Sequence, residues 1–160
     1  MTTQQSGLRM THNLNDFLAD IERKKYATQQ GTNIHFLLQQ VVVDDVVGDR
    51  GDADMVAVIK QKSDLCPYFI ASAKTEVPVA GIINGTFVSR RIDRLLIDEK
   101  NKTVVFLDYK TDVDKSVFRD VYKKQLNEYA QLLHSAYPKH KITGFILWTQ
   151  DWTLERMISM

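Results

Sequence analysis

The feature that most constrains the fold is an apolar segment followed by a long amphipathic segment and a second apolar segment. Residues 103–109 (TVVFLDY) are almost continuously apolar and rich in β-branched side chains, which is typical of a central strand buried on both faces. Residues 117–137 repeat apolar side chains at helical spacing until Pro138, and Val121, Leu126 and Leu133 are among those expected on the apolar side of this helix. Residues 142–148 (ITGFILW) are apolar again. A strand, a long helix and a strand in this order favour a right-handed βαβ unit with parallel strands.

The preceding residues predict helices and an antiparallel meander. Apolar residues share a helical face over 34–41, after an interruption at Gly31, and 54–62 predict a short helix beyond a loop at 44–52. A strand is predicted over 68–79. Two more are predicted within 82–98, separated by a tight turn at Asn84-Gly85. We therefore predict an α/β fold with a central mixed sheet flanked by helices.

Length and composition set the remaining bounds. The 160 residues fit one domain, with residues 1–12 as a disordered or appended tail and 13–160 as a single domain whose first helix begins near Leu14. The net charge of +1 gives no strong overall attraction to nucleic acid, so any DNA affinity must come from a local basic patch. The single cysteine excludes an internal disulfide and a cysteine-ligated zinc or iron–sulfur cluster.

The sequence shows neither a membrane span nor a signal peptide. No apolar segment approaches the roughly 18 residues that suggest a transmembrane helix. The first seven residues are mostly polar and lack the apolar core of a secretory signal. We therefore expect a soluble, cytoplasmic protein without a membrane partner.

Asp108 and Lys110 are the first candidates for chemistry. Side chains two residues apart on a strand point the same way, so both project together where the buried strand ends. In open α/β sheets ligands bind at that edge. A carboxylate there can hold Mg²⁺, and a neighbouring lysine can orient a water or stabilise charge on a phosphate. The structural alternative is a surface salt bridge at the end of a strand.

Asp93 lies in the strand-like segment before the central strand. If the two strands pair, Asp93 can lie near Asp108, and two convergent carboxylates form a metal site. Positive charge suited to phosphate is supplied by Arg90, Arg91 and Arg94. The alternative is an edge strand with a solvated polar face.

Three further positions have weaker individual signals. His35 borders an apolar helical face, where a histidine is more often structural than a metal ligand. Gln125 and Tyr129 are stacked neighbours on the long helix, and the glutamine can hydrogen-bond active-site groups, DNA or ordinary buried partners. Glu76 is another carboxylate near the end of a predicted strand, with no definite role.

Four short motifs together resemble a known family. The sequence contains Gly31-Thr-Asn-Ile-His35, then Ile92-Asp93, then Asp108-Tyr109-Lys110-Thr111, then Gln125-Leu-Asn-Glu-Tyr129. In this order they resemble the G-x-x-x-H, I-D, D-Y-K-T and Q-x-x-x-Y motifs of RecB-family nucleases in the PD-(D/E)xK superfamily. Several intervening stretches are similar to the nuclease end of AddA-type helicase–nuclease subunits. The resemblance covers roughly residues 31–150.

The resemblance implies a restriction-endonuclease-like core and a site for Mg²⁺ or Mn²⁺. The metal ligands would be His35, Asp93, Asp108 and the backbone carbonyl of Tyr109. Catalysis would use Asp93, Asp108 and Lys110. Support of the site and contacts to DNA would come from Gln125, Tyr129, Arg90, Arg91 and Arg94.

The implied function is metal-dependent DNA cleavage, as an exonuclease, in double-strand break repair and recombination. A helicase module or a second nuclease subunit is the implied partner besides DNA. The sequence departs from the family at Arg90, where glycine is common. It also lacks a phosphate-binding loop of the ATPase type and the cysteines for an iron–sulfur cluster. The alternatives are a catalytically silent DNA-binding or assembly module and a different enzyme on a similar sheet.

Overall fold

The structure is a computed structural model that describes residues 28–160. The predictions for the tail at 1–12 and for a helix beginning near Leu14 lie outside the described residues. The helices are α1, which runs through 28–40, α2 (Ala53–Lys60) and α3 (Arg119–Ala136), with a short 3-10 helix at Cys66–Tyr68. The strands are β1 (Lys74–Ile83), β2 (Thr86–Asp98), β3 (Thr103–Lys110), β4 (Lys141–Trp148) and β5 (Thr153–Ser159).

The strands form one mixed sheet in the order β1-β2-β3-β4-β5. Only β3 and β4 are parallel, and α3 connects them, which confirms the predicted strand–helix–strand unit. The other neighbouring strands are antiparallel. Asn84 and Gly85 both have positive φ, at 49° and 77°, as a two-residue hairpin turn of type I′ requires. The predicted hairpin is therefore confirmed.

Buried apolar clusters cover both faces of the sheet, and β3 contributes to each. Val104 and Phe106 belong to the cluster that contains Leu126 and Leu133 of α3, which we call the α3 side. Leu107 and Tyr109 belong to the cluster that contains Leu38 of α1, the α1 side. The prediction that this strand is buried on both faces is confirmed.

A close contact between β3 and β4 explains one glycine of the sheet. Gly144 pairs with Phe106, and a Cβ atom on Gly144 would lie 2.3 Å from the Phe106 ring. Because any side chain here would displace the ring, the sheet requires glycine at this position.

Three predictions about local structure are wrong, and one strand was not predicted. Gly31 lies inside α1 and does not interrupt it; a Cβ atom there would come 3.2 Å from Thr111 Oγ1, so glycine serves a close approach. The strand predicted over 68–79 begins at Lys74, because the apolar residues before it form a buried turn that includes Phe69, and it continues to Ile83, so no separate strand precedes the turn at Asn84-Gly85. Strand β5 was not predicted, because it is a short edge strand with an irregular register near Gly144. Val121, expected on the apolar side of α3, is 62% exposed.

No helix within residues 28–160 is long and apolar enough to cross a membrane.

Candidate metal-binding and catalytic site

The candidate site lies where β2 and β3 separate. Their pairing runs from Asp98–Thr103 to Arg94–Leu107 and stops there. Beyond this point β2 pairs only with β1, whereas β3 continues beside β4 as far as Lys110. The next residues on the two strands are Asp93 and Asp108, so the structure brings both carboxylates to one opening in the sheet.

The backbone of β2 is irregular at Asp93. In a regular strand residues two apart share a face. Ile92 nevertheless packs on the α3 side, whereas Arg94 contacts Leu38 and Val41 on the α1 side. On the neighbouring strand Glu76 has a φ of 54°, which is uncommon for a residue with a side chain. Such an irregularity next to a site can re-aim a side chain, and here it accompanies the turn of Asp93 towards β3.

Asp93 is buried and held from both directions. Its Oδ2 atom accepts a hydrogen bond of 2.6 Å from the backbone N–H of Tyr109. Its Oδ1 atom lies 3.5 Å from Nδ1 of His35, which α1 places over the opening. The His35 ring also contacts the edge of the Tyr109 ring at 5.5 Å between centroids. The predicted candidates His35, Asp93 and Tyr109 therefore lie together.

Asp108 and Lys110 form a partly buried ion pair on the α3 side. Lys110 Nζ lies 2.6 Å from Asp108 Oδ2, and only 5% of the Asp108 side chain is exposed. Within residues 28–160, Asp108 Oδ2 accepts no hydrogen bond of acceptable geometry in spite of this short contact. The pair is therefore buried, unlike the solvated salt bridge considered as an alternative, and one oxygen retains an unused lone pair.

Helix α3 positions the lysine through three side chains. Lys110 Nζ donates to Gln125 Oε1 at 3.2 Å and lies 4.2 Å from the centre of the Tyr122 ring. Gln125 Nε2 in turn donates to the Tyr129 hydroxyl at 2.6 Å, and that hydroxyl donates to the carbonyl of Arg91 at 3.2 Å. This chain of contacts fixes the direction from which Lys110 approaches Asp108.

The environment of the site shifts two pKa values upwards. The pKa of Asp108 is raised to about 6, mainly by burial; Lys110 opposes the shift, and the nearby Asp93 carboxylate adds to it. The hydrogen bond to Asp93 raises the pKa of His35 above its usual value, although burial acts in the opposite direction. The first shift reflects mainly the cost of burying a carboxylate, and the second reflects the negative charge of Asp93 beside the imidazole.

The three arginines of β2 have different environments. Arg90 pairs with Glu128 of α3, and Arg91, whose side chain is 69% exposed, pairs with Glu76. Arg94 is 1% exposed. The prediction that Arg94 contacts DNA is therefore wrong in this structure, because its guanidinium lies inside the protein. The role of Glu76, left undefined by the sequence, is an ion pair with Arg91.

Arg94 connects helix α1 to the strand that carries the site. Its guanidinium donates to the carbonyls of Leu38 and Val41 at 2.7 and 3.2 Å. It also donates to the Tyr109 hydroxyl at 2.8 Å and lies 4.1 Å from the centre of the Phe69 ring. Burial raises the pKa of this tyrosine to about 12, so it remains a neutral hydroxyl. Arg94 thus anchors α1, and with it His35, to β3.

Sequence reasoning missed two residues beside the lysine. Tyr122 packs against Lys110, and its hydroxyl donates to Asp112 Oδ2 at 2.5 Å. Tyr122 lies three residues before Gln125 on one face of α3, and this helical spacing was the available signal. Nothing in the sequence alone connects Asp112 to the site.

The donor atoms fit a hard cation only in part. Among residues 28–160, no three histidine, cysteine, aspartate or glutamate side chains converge closely enough to form a preformed metal site. Two buried carboxylates and the unused Asp108 oxygen are nevertheless the type of donor that Mg²⁺ and Mn²⁺ prefer. The two carboxylates are therefore the side chains of this site that could hold such an ion.

Comparisons with known proteins do not assign this chain to a family. No family model matches it, and no curated protein matches it. Among solved structures, the crystal structure of SSO0001 is similar, with 18% sequence identity and a TM-score of 0.38. The match covers 65% of this chain and 46% of that chain, so this chain spans less than half the length of that protein. A similarity of this strength supports no conclusion about activity.

Proposed function

We propose that the chain is a metal-dependent DNA nuclease with a PD-(D/E)xK core of the RecB type. The observation that carries the proposal is the meeting of Asp93, Asp108 and Lys110 where β2 and β3 separate. Both carboxylates are buried, and Asp108 Oδ2 lies 2.6 Å from Lys110 Nζ. Strongly perturbed, buried ionisable groups at a strand end are typical of functional sites.

A divalent ion would be held by Asp93 and Asp108, with His35 and the carbonyl of Tyr109 as further donors. Bound there, Mg²⁺ or Mn²⁺ would polarise a phosphate and lower the pKa of a coordinated water. The hydrogen bond from the Tyr109 backbone fixes Asp93 Oδ2 before any ion arrives. Such an arrangement reduces the reorganisation that binding and catalysis require.

Lys110 would act on the water and the phosphate. Its amine is held beside Asp108 by Gln125 and the Tyr122 ring. From this position it can orient the attacking water and offset negative charge that develops on the phosphate. Gln125 and Tyr129 would keep the amine in place while the phosphate enters.

A purely structural role explains these residues less well. Burying two carboxylates and a lysine costs desolvation energy that an ion pair rarely recovers in full. The raised pKa of Asp108 is a sign of that unrecovered cost. Buried charged groups that lower the stability of the fold are better explained by a role in binding or catalysis than by a structural role.

One observation favours a second candidate, a catalytically silent DNA-binding or assembly module. Lys110 contacts Asp108 at 2.6 Å, so the amine occupies the side of the carboxylate that an ion would use. The lack of three convergent ligands among the described residues points the same way. Such a module would bind DNA without a divalent ion and would not cut it.

A cleavage assay with one lysine variant separates these functions. Labelled linear single- and double-stranded DNA is incubated with Mg²⁺, with Mn²⁺ or with chelator. Lys110→Ala should lower the cleavage rate by roughly 10²–10⁴-fold, the range for removal of a group that acts in the transition state. Products cut from labelled ends would indicate an exonuclease, and internal products an endonuclease.

The matched control is Lys102→Ala, which removes an exposed lysine from the turn at the opposite end of β3. This variant should cut at the wild-type rate, and both variants should retain a cooperative melt. DNA binding without cutting under every condition, by a folded wild-type protein, would favour the silent module instead.

A further inference from the structure

An exposed apolar patch lies on the segment that follows Lys110 in the chain and on the first turn of α3. Its members are Val113, Val117, Phe118 and Val121, with exposures of 84%, 61%, 45% and 62%. Exposed apolar side chains that cluster next to a polar opening are typical of binding surfaces. None of these residues was assigned a role by sequence reasoning beyond the apolar side of α3.

Phe118 is connected to Lys110 through one aromatic ring. Its ring centre lies 6.0 Å from that of Tyr122, and the Tyr122 ring centre lies 4.2 Å from Lys110 Nζ. Tyr122 is in turn backed by the buried Trp148, at 6.2 Å. An exposed ring thus extends an aromatic row that ends at the proposed catalytic amine.

Polar contacts hold this segment in place although its apolar side chains face outwards. The Tyr122 hydroxyl is fixed by Asp112 at 2.5 Å. Lys115 pairs with Asp151 at 2.5 Å and donates to Thr153 at 2.7 Å, which anchors the segment to the turn before β5. A surface held in this way can bind a flat apolar group without first being ordered.

Lys124 lines the same surface depression as Val121 of this patch, and Lys123 precedes it on α3. Lys123 and Lys124 are exposed on α3, and neither forms an ion pair with any residue between 28 and 160. Lys124 lies beside Gln125, which contacts Lys110. An aromatic surface bordered by free ammonium groups suits a nucleic acid strand, whose bases stack and whose phosphates are negative. A protein partner would be matched less well by these isolated cations.

We propose that Phe118, supported by Tyr122, is a stacking platform for an unpaired nucleobase next to the phosphate that Lys110 contacts. Lys123 and Lys124 would contact the phosphates that flank this base. The inference rests on the proposed nuclease function for its choice of ligand. It adds a base-binding subsite, and it implies that the strand entering the site is locally unpaired.

The test compares two oligonucleotides that have the same phosphates but differ in their bases. A fluorescein-labelled oligodeoxythymidylate and an abasic oligonucleotide of equal length are titrated with the protein in chelator. Phe118→Ala should weaken binding of the oligodeoxythymidylate roughly 5- to 150-fold, the range for loss of one stacked base, and leave abasic binding unchanged. Phe118→Trp should restore the difference between the two probes.

The matched control is Phe87→Ala, because Phe87 is an exposed phenylalanine of the β1–β2 hairpin, 67% exposed. It should leave both affinities unchanged. Equal weakening of both probes by Phe118→Ala, or no weakening of either, would overturn the platform. So would a change of oligomeric state in Phe118→Ala, which would assign the patch to a protein interface.

Cleavage by the same proteins distinguishes this inference from the proposed function. Base-dependent binding through Phe118 without any cutting in Mg²⁺ or Mn²⁺ would retain the platform and contradict the nuclease. Cutting by Phe118→Ala with wild-type affinity for DNA would retain the nuclease and contradict the platform.

Discussion

The two faces of the sheet contribute differently to the candidate site. On the α1 side, the buried guanidinium of Arg94 donates to the carbonyls of Leu38 in α1 and of Val41 just after it, and to the Tyr109 hydroxyl. On the α3 side, Lys110 contacts Asp108, Gln125 and the Tyr122 ring, and Asp108 Oδ2 still lacks a well-formed hydrogen bond from the described residues. On the α1 side the buried polar groups have hydrogen-bond partners, whereas on the α3 side the Asp108 carboxylate is only partly hydrogen-bonded.

This difference indicates a division between support and chemistry. A satisfied buried network makes the structure rigid, whereas a buried group without a full set of partners costs stability. The backbone N–H of Tyr109 joins the two faces, because it donates to Asp93 while Asp108 and Lys110 flank it on β3. The α1 side therefore determines where the carboxylates are, and the α3 side determines what they can bind.

The largest effect on stability is expected from Arg94→Met, which removes the buried hydrogen bonds of the α1 side. The change would leave the carbonyls of Leu38 and Val41 and the Tyr109 hydroxyl without this donor in the interior. We expect the free energy of unfolding to fall by roughly 3–5 kcal/mol, because each buried unsatisfied polar group costs about 1–3 kcal/mol. Urea denaturation measures this change.

Arg91→Met is the control for Arg94, since Arg91 is exposed and makes one surface ion pair. It should change the free energy of unfolding by less than about 1 kcal/mol. Similar losses in the two variants would show that the buried network of Arg94 is no more important for stability than the surface pair.

Arg94 also shows where sequence reasoning stops. Arg90, Arg91 and Arg94 lie within five residues and give one signal, local positive charge. Their environments diverge because the strand is irregular at Asp93, and that irregularity depends on pairing with β1 and contact with α1. Composition and periodicity contain no information on these contacts between distant parts of the chain. The same limit applies to β5, whose alternation is weak and whose register is interrupted.

The parts that could be predicted depend on local chemistry. The hairpin follows from Asn84-Gly85, because the turn needs two residues that tolerate positive φ. The approach of Asp93 to Asp108 follows from the short connection between two strands, and the common face of Asp108 and Lys110 follows from strand alternation. The roles of these residues as metal ligands and catalytic groups stay predictions.

A smaller effect is expected from Asp108→Asn, which removes a buried charge from the α3 side. The folded-state pKa of Asp108 is about 6, against 3.8 for an unperturbed aspartate. The carboxyl therefore favours folding below about pH 4, and that contribution is lost as the pH rises through about 6. Asparagine has no proton to lose. In chelator, the stability of Asp108→Asn relative to wild type should increase by roughly 2–3 kcal/mol between about pH 4 and pH 7.

Thermal or urea unfolding of both proteins across this pH range measures the difference. Contributions from carboxyl groups that do not interact with Asp108 cancel in it, because both proteins contain them in the same environment. Mg²⁺ at about pH 7 should then stabilise the wild type and not the variant, since binding to the folded state alone raises stability. A difference that does not change with pH would contradict the raised pKa of Asp108.

The smallest effect is expected from Tyr129→Phe, which shortens the row of contacts behind Lys110. The ring would still pack edge-on against Phe106, at 5.8 Å between centroids, so the core is retained. The lost hydroxyl leaves Gln125 Nε2 and the Arg91 carbonyl without a partner. We expect a loss of about 1 kcal/mol in stability and a roughly fivefold lower cleavage rate, because Gln125 would hold Lys110 less firmly.

A double variant decides whether Tyr129 acts through Gln125. If it does, Tyr129→Phe combined with Gln125→Ala should cut no more slowly than Gln125→Ala alone, because the amide that transmits the effect is already absent. Multiplied losses in the double variant would mean that the two residues act separately. The position of Lys110 would then depend on Asp108 and the Tyr122 ring more than on the Gln125 amide.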